Sequence, residues 1–600
     1  MQHLGKLNPL TSISIPNIGK IEPKGLNVVI GPNSAGKTQF LKDIHYRMLG
    51  KPRDLVVCEE ISLTRKGTLP EIIAALEEAE HIRVVPGSNS NHNISCRVFE
   101  FGGSSDRWQA DSNLAQLYYT RMGTSTNGRK GGKDEFLSMF GRSFIASLFL
   151  GGRLNSLNEV PSFDYEKTTP EKEIQALYLN EDAQHALTAE TERTFGRSIW
   201  VDPTRGGVLC LRVGDGPALP PDADRTQPSR MTKFRTIENE GDGFKSYVAI
   251  CISLLLGQRP VILIDEPELC LHPPQAHSLG KFIGRYGTSD AGTTFVATHS
   301  SHVLRGIIEE TEYLDVIRLS RAGTNFSGQR IESELLRASI RKPSTKSEAI
   351  LDGLFAEAVT VVEGEGDRLV YGTVWEKVSA EFKHDVHFVS VGGMGGAADP
   401  CELYARLRIP ICVIVDLDII RSPDIFKSIV SALAPGPVAE DLTKDCRKLV
   451  EEVKALGPVY DEAAVRSGLT SILSAKLDWT DETQLNQTRR TLGDLSAGLS
   501  QTSRLKKGLE EFHSYGVYSN LTAFLSKCRG AGVFLVPVGE LEDWAEMLTS
   551  GGPSKKKKAE WANHIANAIR DSDPREDDIW EFIRQMARRQ RNEIERLAGY

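Results

Sequence analysis

The sequence predicts an α/β protein with two successive domains, each built on a sheet with flanking helices. One apolar run, 26–30, leads into a glycine-rich turn and a helical pattern, and a second, 411–415, ends in closely spaced aspartates. Apolar strands that alternate with amphipathic helices are typical of α/β folds. The chain has 600 residues, which is too many for a single hydrophobic core. More than one domain is therefore expected.

The composition is that of an ordinary globular chain. Hydrophobic residues make up 40% and charged residues 25%, and the formal net charge is −8 from 72 basic and 80 acidic residues. This balance argues against a surface covered in basic charge, although it allows a local basic groove. The nine cysteines include no C-x-x-C pair, as expected for a reduced cytoplasmic protein. We find no signal-peptide core and no apolar run of the ~20 residues that a membrane helix needs.

Residues 31–38 read GPNSAGKT and directly follow the apolar run 26–30. A strand, a glycine-rich turn and a helix in the pattern G-x-x-x-x-G-K-T are typical of a phosphate-binding loop, because backbone N–H groups and the helix N-terminus surround phosphate oxygens. Lys37 can reach the β- and γ-phosphates, and Thr38 can offer its hydroxyl to Mg²⁺. We therefore expect ATP to be held by Asn33, Gly36, Lys37 and Thr38.

Two later runs fit the same chemistry. Residues 261–268 read VILIDEPE, so a buried strand delivers Asp265 to magnesium and places Glu266 to polarise the attacking water. Residues 295–300 read FVATHS and form another strand with a polar tip. His299 at that tip suits a sensor of the γ-phosphate.

A glycine-containing stretch, EGDGFKS at 240–246, precedes a strongly apolar helix. In this order the motifs resemble ABC-type ATPase heads of the SMC/RecF branch. The resemblance implies a homodimer that ATP closes head to head, in which the nucleotide of one subunit contacts Gly241, Gly243 and Ser246 of the other. EGDGFKS departs from the usual L-S-G-G-Q, so we expect ATP binding with slow hydrolysis. The ATPase domain, a mixed sheet with flanking helices, is expected over 1–340, with a helical insertion for dimerisation at roughly 65–235.

Carboxylates also gather in the second half of the chain. Residues 359–367 read VTVVEGEGD and place Glu363 at the end of a strand, and 411–418 read ICVIVDLD and place Asp416 and Asp418 at the end of another. Carboxylates at neighbouring strand ends repel each other unless a divalent cation neutralises them. Hard oxygen ligands favour Mg²⁺ or Mn²⁺.

A strand-end glutamate, the glycine-rich segment SVGGMGG at 390–396 and a D-x-D strand resemble a Toprim domain, the metal-dependent fold of topoisomerases, primases and certain nucleases. The resemblance implies that Glu363 serves metal binding or acid–base chemistry, and that the two aspartates hold the metal. Further ligands are then expected among Asp367 and Glu365.

The nuclease branch of the Toprim family has another acidic strand end later in the chain. Residues 533–543, VFLVPVGELED, fit this pattern through Glu540 and Glu542. A lysine after that strand often completes the site, and the run 555–558 lies at about the right place. The sequence does not decide which of the four lysines completes the site, and Lys556 is taken as the catalytic candidate.

An ABC-type ATPase followed by a Toprim domain resembles the OLD (overcoming lysogenization defect) family of nucleases. The resemblance implies a DNA endonuclease or nickase that uses ATP and two Mg²⁺ or Mn²⁺ ions, acts in anti-phage defence, and in some members belongs to Gabija-like or retron-associated systems. The expected partners are DNA, a second copy joined through the ATPase heads, and a partner protein or a reverse transcriptase with its RNA–DNA ligand. The Toprim domain is expected over 355–545 with a helical insertion at roughly 421–528, before a basic helical segment at 546–600.

Two other interpretations stay open. One is a repair ATPase of RecF type whose Toprim-like domain binds DNA without cutting it. The other is an effector that stays silent until a partner releases it. A topoisomerase is least favoured, because no domain with a nucleophilic tyrosine is evident. The basic loop 121–133 and the C-terminal arginines are candidates for contacts with the DNA backbone.

Overall fold

The structure is a computed structural model, and the chain divides into two compact units, Met1–Ile340 and Arg341–Tyr600. Among the described helices, none combines the length and the apolar character that crossing a membrane requires. The structure describes residues 2–79, 81–86, 92–98, 106–121, 130, 132–166, 170–216, 231–256, 259–287, 292–342, 347–475, 477–548 and 557–597.

The first unit alternates strands and helices along most of its length. Its strands are β1 (Leu10–Ile15), β2 (Gly19–Ile21), β3 (Gly25–Ile30), β4 (Glu60–Leu63), β5 (Ile82–Pro86), β6 (His92–Val98), β7 (Asp106–Asp111), β8 (Ile145–Leu148), β9 (Val160–Pro161), β10 (Arg197–Asp202), β11 (Val208–Asp215), β12 (Arg235–Thr236), β13 (Val261–Asp265), β14 (Thr293–Ala297), β15 (Leu314–Ala322) and β16 (Asn325–Ile331). Its helices are α1 (Gln2–Lys6), α2 (Lys37–Met48), α3 (Leu69–Glu78), α4 (Ser112–Thr120), α5 (Glu135–Phe140), α6 (Leu150–Asn155), α7 (Glu173–Leu179), α8 (Glu181–Phe195), α9 (Asp242–Leu256), α10 (Pro273–Tyr286), α11 (Ser301–Glu310) and α12 (Ser333–Arg341).

The central sheet of this unit has the order β16-β15-β3-β14-β13-β8. Its neighbours run parallel, apart from the antiparallel pair β15–β16. Strands β3 and β14 are buried along nearly their whole length, as expected for parallel strands covered on both faces. Because β3, β14 and β13 are adjacent and parallel, the three motifs that follow them meet at one edge of the sheet.

The region expected as a helical insertion contains small antiparallel sheets as well as helices. Strands β5-β6-β7 form one, and β10-β11-β12 with β9 form another. The short strand β8, which lies inside the same stretch, pairs with β13 in the central sheet. Four residues without a polar tip carry too little pattern to be recognised as a sheet strand from sequence.

The second unit has one parallel sheet in the order β18-β17-β19-β20. Its strands are β17 (Ala358–Val362), β18 (Val386–Ser390), β19 (Ile411–Asp416) and β20 (Val533–Val536). Its helices are α13 (Glu348–Asp352), α14 (Glu365–Val378), α15 (Ala398–Arg406), α16 (Pro423–Leu433), α17 (Gly436–Ala455), α18 (Glu462–Ser474), α19 (Glu482–Gly498), α20 (Val517–Ala531), α21 (Leu541–Leu548), α22 (Lys558–Asp571) and α23 (Asp578–Leu597).

The C-terminal helices α22 and α23 complete the core of the second unit. Trp580 is fully buried, and Trp561 is nearly so. Both belong to a hydrophobic cluster that includes Ala358 and Val362 of β17 and Cys412 of β19. The segment that the sequence marks mainly by its basic residues therefore also provides apolar residues that cover the sheet.

The helices between β19 and β20 include an exposed hairpin. None of the residues described in α18 and α19 is buried, and the two helices pack on each other where Gly468 faces Leu495. Near the hairpin tip, Leu473 is 84% exposed and Trp479 is 77% exposed. The one-turn helix Ser503–Lys507 follows the hairpin and leads back toward the sheet.

Candidate nucleotide-binding and metal sites

The phosphate loop connects β3 to α2. Gly36, at the start of α2, has φ 92°, and a Cβ at Gly31 would lie 2.1 Å from the carbonyl oxygen of Leu319, so both positions favour glycine. The Lys37 ammonium donates to the carbonyl oxygens of Gly31 at 2.8 Å and Pro32 at 2.9 Å. Burial lowers the pKa of Lys37, and Asn33 is exposed. The phosphate loop is therefore closed by hydrogen bonds between the Lys37 ammonium and the loop's own carbonyl oxygens.

Thr38 and Asp265 join the loop to the acidic strand β13. The Thr38 hydroxyl donates to Asp265 Oδ1 at 3.0 Å. Burial raises the pKa of Asp265 to about 6, a rise that Glu266 increases and the Thr38 hydrogen bond reduces. A hydroxyl and a carboxylate at this distance are the pair that holds ATP-bound magnesium in phosphate-loop proteins.

Arg153, which is not predicted from the sequence, holds the backbone of Asp265 and Glu266. Its guanidinium is fully buried and donates to the carbonyl oxygens of Asp265 at 2.7 Å and Glu266 at 3.1 Å. Burial lowers the pKa of Arg153 to about 10. Glu266 has φ 44°. This left-handed conformation costs free energy, so it persists only where contacts with the surrounding structure hold it. Arg153 provides such support, and no recognisable motif surrounds it in the sequence.

His299 lies beside the acidic residues that follow β13. Its Nδ1 is 3.1 Å from Glu268 Oε1 and 3.7 Å from Glu266 Oε1. Glu268 is buried, accepts the backbone N–H of His299 at 2.8 Å and accepts the hydroxyl of Thr298 at 2.8 Å. The structure thus brings His299 next to the glutamate proposed to polarise water, and Glu268 fixes its position.

The stretch EGDGFKS lies at the start of α9. Gly241 is exposed, whereas a Cβ at Gly243 would lie 2.2 Å from the carbonyl oxygen of Cys270. Ser246 is fully buried, and its hydroxyl finds no hydrogen-bond partner among the described residues. Gly243 therefore has a packing role within its own chain. Contact of these three residues with a nucleotide on another subunit stays a prediction.

The acidic residues of the second unit follow neighbouring parallel strands. Glu363 follows β17, Asp416 ends β19, Asp418 comes two residues later, and Glu540 follows β20. The carboxyl ends of parallel strands share one edge of a sheet, so these four carboxylates lie along one edge, which we call the acidic edge. Because β18 lies on one side of β17 and β19 on the other, Glu363 and Asp416 flank the point where the strand order reverses, which is where open α/β sheets bind ligands.

Burial and mutual repulsion perturb these carboxylates. Burial raises the pKa of Asp416 to about 8, and the charges of Asp367, Glu363, Glu540 and Asp418 add to the rise. Burial also raises the pKa of Asp367 to about 6, although this carboxylate accepts the backbone N–H of Gly364 at 2.7 Å. The pKa of Glu363 is raised by burial and by Asp418.

The donor set of this edge fits a divalent cation, because it consists of carboxylate oxygens that repel one another. Within the described ranges, no three His, Cys, Asp or Glu side chains already stand around a common point as metal ligands. The carboxylates are thus near neighbours without being arranged as a finished coordination shell. Glu542 also belongs to this neighbourhood, since its charge raises the pKa of Asp367.

Glu365 is engaged elsewhere. It accepts a hydrogen bond from the hydroxyl of Ser390, at the end of β18, and pairs with Arg368 at 2.7 Å. The Ser390 hydrogen bond is the main cause of the lowered pKa of Glu365. This residue therefore stabilises the start of α14 and the glycine-rich segment beside it.

Two lysines lie close to the carboxylates. Lys506 forms an ion pair with Glu540, and its Nζ is 3.7 Å from Asp418 Oδ2. The charge of Lys558 lowers the pKa values of Glu363 and Asp367, against the larger effect of burial.

Of the lysine run at 555–558, Lys556 lies outside the described residues. Lys557 pairs with Glu560 at 2.9 Å, so Lys558 is the described member of the run that acts on the acidic edge. Lys506 was missed by the sequence analysis because it lies in the inserted helices, far from any recognised motif.

The C-terminal arginines are largely paired within their own unit. Arg584 binds Glu381 at 2.9 Å, Arg588 binds Glu581 at 2.7 Å and Arg591 binds Glu595 at 3.0 Å. This pairing leaves less positive charge for a DNA backbone than the sequence suggests. Most of the basic loop 121–133 lies outside the described residues.

The two units define a class of protein: a phosphate-loop ATPase joined to a parallel-sheet domain with an acidic edge. Two protein-family models match the chain, one within each unit. A model described as "Overcoming lysogenization defect protein-like, TOPRIM domain" matches residues 354–418, and an AAA domain model (AbiEii toxin, type IV TA system) matches 212–305. The chain therefore carries an ATPase domain followed by an OLD-like Toprim domain, which confirms the resemblance drawn from the motifs.

Two relatives that match the chain are named as nucleases. The OLD nuclease of Thermus scotoductus is 21% identical over 439 residues, which cover 66% of this chain and 78% of that protein. Endonuclease GajA of Bacillus cereus is 27% identical over 161 residues, which cover 26% of each. The chain thus spans about a quarter of the length of GajA in this match.

Solved structures with a likeness to this chain include SMC head domains. The SMC head bound to the C-winged helix domain of ScpA is 13% identical, with 54% of this chain and 99% of that chain covered and a TM-score of 0.31. The SMC head domain from Thermotoga maritima is 10% identical, with the same coverage and a TM-score of 0.27. Such values concern the fold class alone.

Proposed function

We propose that this chain is an ATP-binding, metal-dependent DNA endonuclease or nickase that acts in the cytoplasm as an effector of anti-phage defence. The observation that carries the proposal is the convergence of Glu363, Asp416, Asp418 and Glu540 at one sheet edge, where burial and repulsion raise the pKa of Asp416 to about 8. The match to the OLD-like Toprim model and the two relatives named as nucleases support it.

The acidic edge has the residues that phosphodiester hydrolysis needs. Glu363, Asp416, Asp418 and Glu540, with Asp367 and Glu542 nearby, would hold two Mg²⁺ or Mn²⁺ ions. Such ions lower the pKa of bound water and neutralise the leaving oxygen.

Two side chains supply further chemistry at this edge. Lys558, whose charge acts on Glu363 and Asp367, offers a cation to the phosphodiester. Glu363, which follows β17, is proposed either to bind a metal ion or to hold and pass on a proton.

The ATPase domain is proposed to control access to this chemistry. The Lys37 ammonium donates to the carbonyl oxygens of Gly31 and Pro32, and its third N–H can be donated to a phosphate of ATP. The unusual EGDGFKS stretch fits slow hydrolysis. We further propose that two heads dimerise around ATP, and that a partner protein or an RNA–DNA ligand of a defence system, such as a retron, provides the trigger.

The test is cleavage of supercoiled plasmid by the purified protein with Mg²⁺ or Mn²⁺, with and without ATP. Wild type should nick or cut the plasmid only with a metal. Asp416→Ala should lower the rate by about 100-fold or more, because even residues that only hydrogen-bond to a metal ligand contribute about 10–100-fold. Asp424→Ala is the matched control, because this aspartate side chain is 94% exposed. Comparison of the rates with and without ATP shows whether ATP activates or inhibits cleavage.

Other results would contradict the proposal. If wild type binds DNA but never cleaves it, even with candidate partners added, a non-cutting repair ATPase of RecF type becomes the better interpretation. If Asp416→Ala cleaves as fast as wild type, the acidic edge is not the catalytic centre.

A further inference from the structure

The Lys506 ammonium lies between two carboxylates of the acidic edge, those of Asp418 and Glu540. It forms an ion pair with Glu540 and lies 3.7 Å from Asp418 Oδ2. These two carboxylates follow the neighbouring strands β19 and β20. A single positive charge between two acidic side chains is the simplest substitute for a bound divalent ion, since it reduces the repulsion between them.

The backbone around Lys506 is fixed to the acidic edge. The N–H of Leu509 donates to the carbonyl oxygen of Pro537 at 2.7 Å, and the N–H of Leu417 donates to that of Gly539 at 2.9 Å. A Cβ at Gly539 would lie 2.4 Å from the carbonyl oxygen of Lys506. Two chain segments that approach this closely cannot shift independently, so the position of Lys506 beside Glu540 is set by the fold.

We propose that Lys506 occupies the Asp418–Glu540 carboxylate pair and competes with a divalent cation for it. The inference rests on the proposed metal-dependent function, which it extends by naming the residue that sets metal affinity. Metal binding at this pair displaces the ammonium, whose side chain is nearly half exposed and is free to turn toward solvent.

Competition and structural support predict opposite effects on metal affinity. If Lys506 only stabilised the site, its removal would loosen the two carboxylates and weaken metal binding. If it competes, its removal makes the pair more negative and leaves no ion pair to break, so metal binding tightens. An ion pair of this exposure is worth about 0.5–1 kcal/mol, and about 1.4 kcal/mol corresponds to a factor of ten. The expected gain is therefore about two- to fivefold.

The experiment is titration of the metal-free full-length protein with Mn²⁺, with free Mn²⁺ measured by electron paramagnetic resonance. Lys506→Met should lower the Mn²⁺ dissociation constant about two- to fivefold, and Lys506→Gln should do the same. Lys506→Arg, which keeps the charge, should stay close to wild type. Lys507→Met is the matched control, because Lys507 lies in the same helical turn and is exposed, and it should leave the constant unchanged.

The outcomes separate the two proposals. Wild type that binds Mn²⁺, with Lys506→Met and Lys506→Gln that bind it equally or more weakly, overturns the role of Lys506 and leaves the metal-dependent nuclease standing. Wild type that binds no Mn²⁺ overturns both. Tighter binding in both neutral variants, but in neither Lys506→Arg nor Lys507→Met, supports the inference.

Discussion

At the residue scale, burial and repulsion among the carboxylates of the acidic edge lower the stability of the metal-free protein at neutral pH. Asp416 is held among Asp367, Glu363, Glu540 and Asp418, and its pKa rises to about 8. An unfolded aspartate titrates near ~3.9. Between these two values the native state keeps a proton that the unfolded state loses, so the stability of the metal-free protein falls as pH rises through this window.

Asp416→Asn should therefore stabilise the metal-free protein, and more at high pH than at low pH. The amide has the shape of the protonated acid and cannot take up the unfavourable charge. We expect the difference in free energy of unfolding between variant and wild type to grow by about 1–3 kcal/mol from pH 5 to pH 8. Urea denaturation of the second unit in the presence of a chelator measures it. For Asp424→Asn, at an exposed position, the difference should not grow with pH. If the difference between Asp416→Asn and wild type is also independent of pH, the raised pKa of Asp416 is contradicted.

For a residue that lies inside a motif at a strand end, the position in the fold could be predicted from the sequence. The fold class is confirmed, and Lys37, Thr38, Asp265 and His299 come together at one edge of the sheet, as the motifs require. Arg153 and Lys506 could not be predicted. Their roles depend on contacts with residues more than thirty positions away, and neither lies in a local pattern. The chemical roles assigned to the acidic residues stay predictions.

At the scale of single elements, the C-terminal helices matter most for the second unit. The sequence predicts a basic surface there, because lysines and arginines are frequent in 555–591. The structure shows that the opposite faces of α22 and α23 carry Trp561 and Trp580 into the core. Amphipathic helices of this kind derive most of their stability from packing rather than from intrinsic propensity.

Trp580→Ala should strongly destabilise the second unit. The side chain is fully buried, and removal of a buried tryptophan costs about 3–5 kcal/mol. Trp479→Ala provides the control, because Trp479 is 77% exposed and its loss should change stability by no more than about 0.5 kcal/mol. Hydrogen exchange of β17 and β19 reports the difference. Equal protection in the two variants would show that α23 is dispensable for the sheet.

At the scale of the whole molecule, each unit has its own hydrophobic core. The cluster of the first unit centres on α2 and the strands beside it, and that of the second unit centres on β17, α14 and the C-terminal helices. Separate cores are the physical basis for independent folding.

A fragment of residues 347–600 should therefore fold alone. We expect a single cooperative thermal transition by circular dichroism, and Mn²⁺ binding close to that of the full-length protein. The matched fragment, residues 1–342, should bind ATP and lose that binding in Lys37→Ala. If the fragment 347–600 stays unfolded in solution, the second unit depends on the first for its structure.

The segment from Asp418 to Gly508 leaves the sheet just after β19 and comes back to the same edge, where Lys506 and Gly508 lie against the turn that precedes Glu540. Its two ends border the acidic edge, and its middle, the α18–α19 hairpin, packs on itself. Such a module can be exchanged or lengthened while the four strands and their carboxylates stay as they are. Insertions and deletions in this hairpin should therefore disturb the sheet less than changes elsewhere in the second unit, because none of the described hairpin residues is buried.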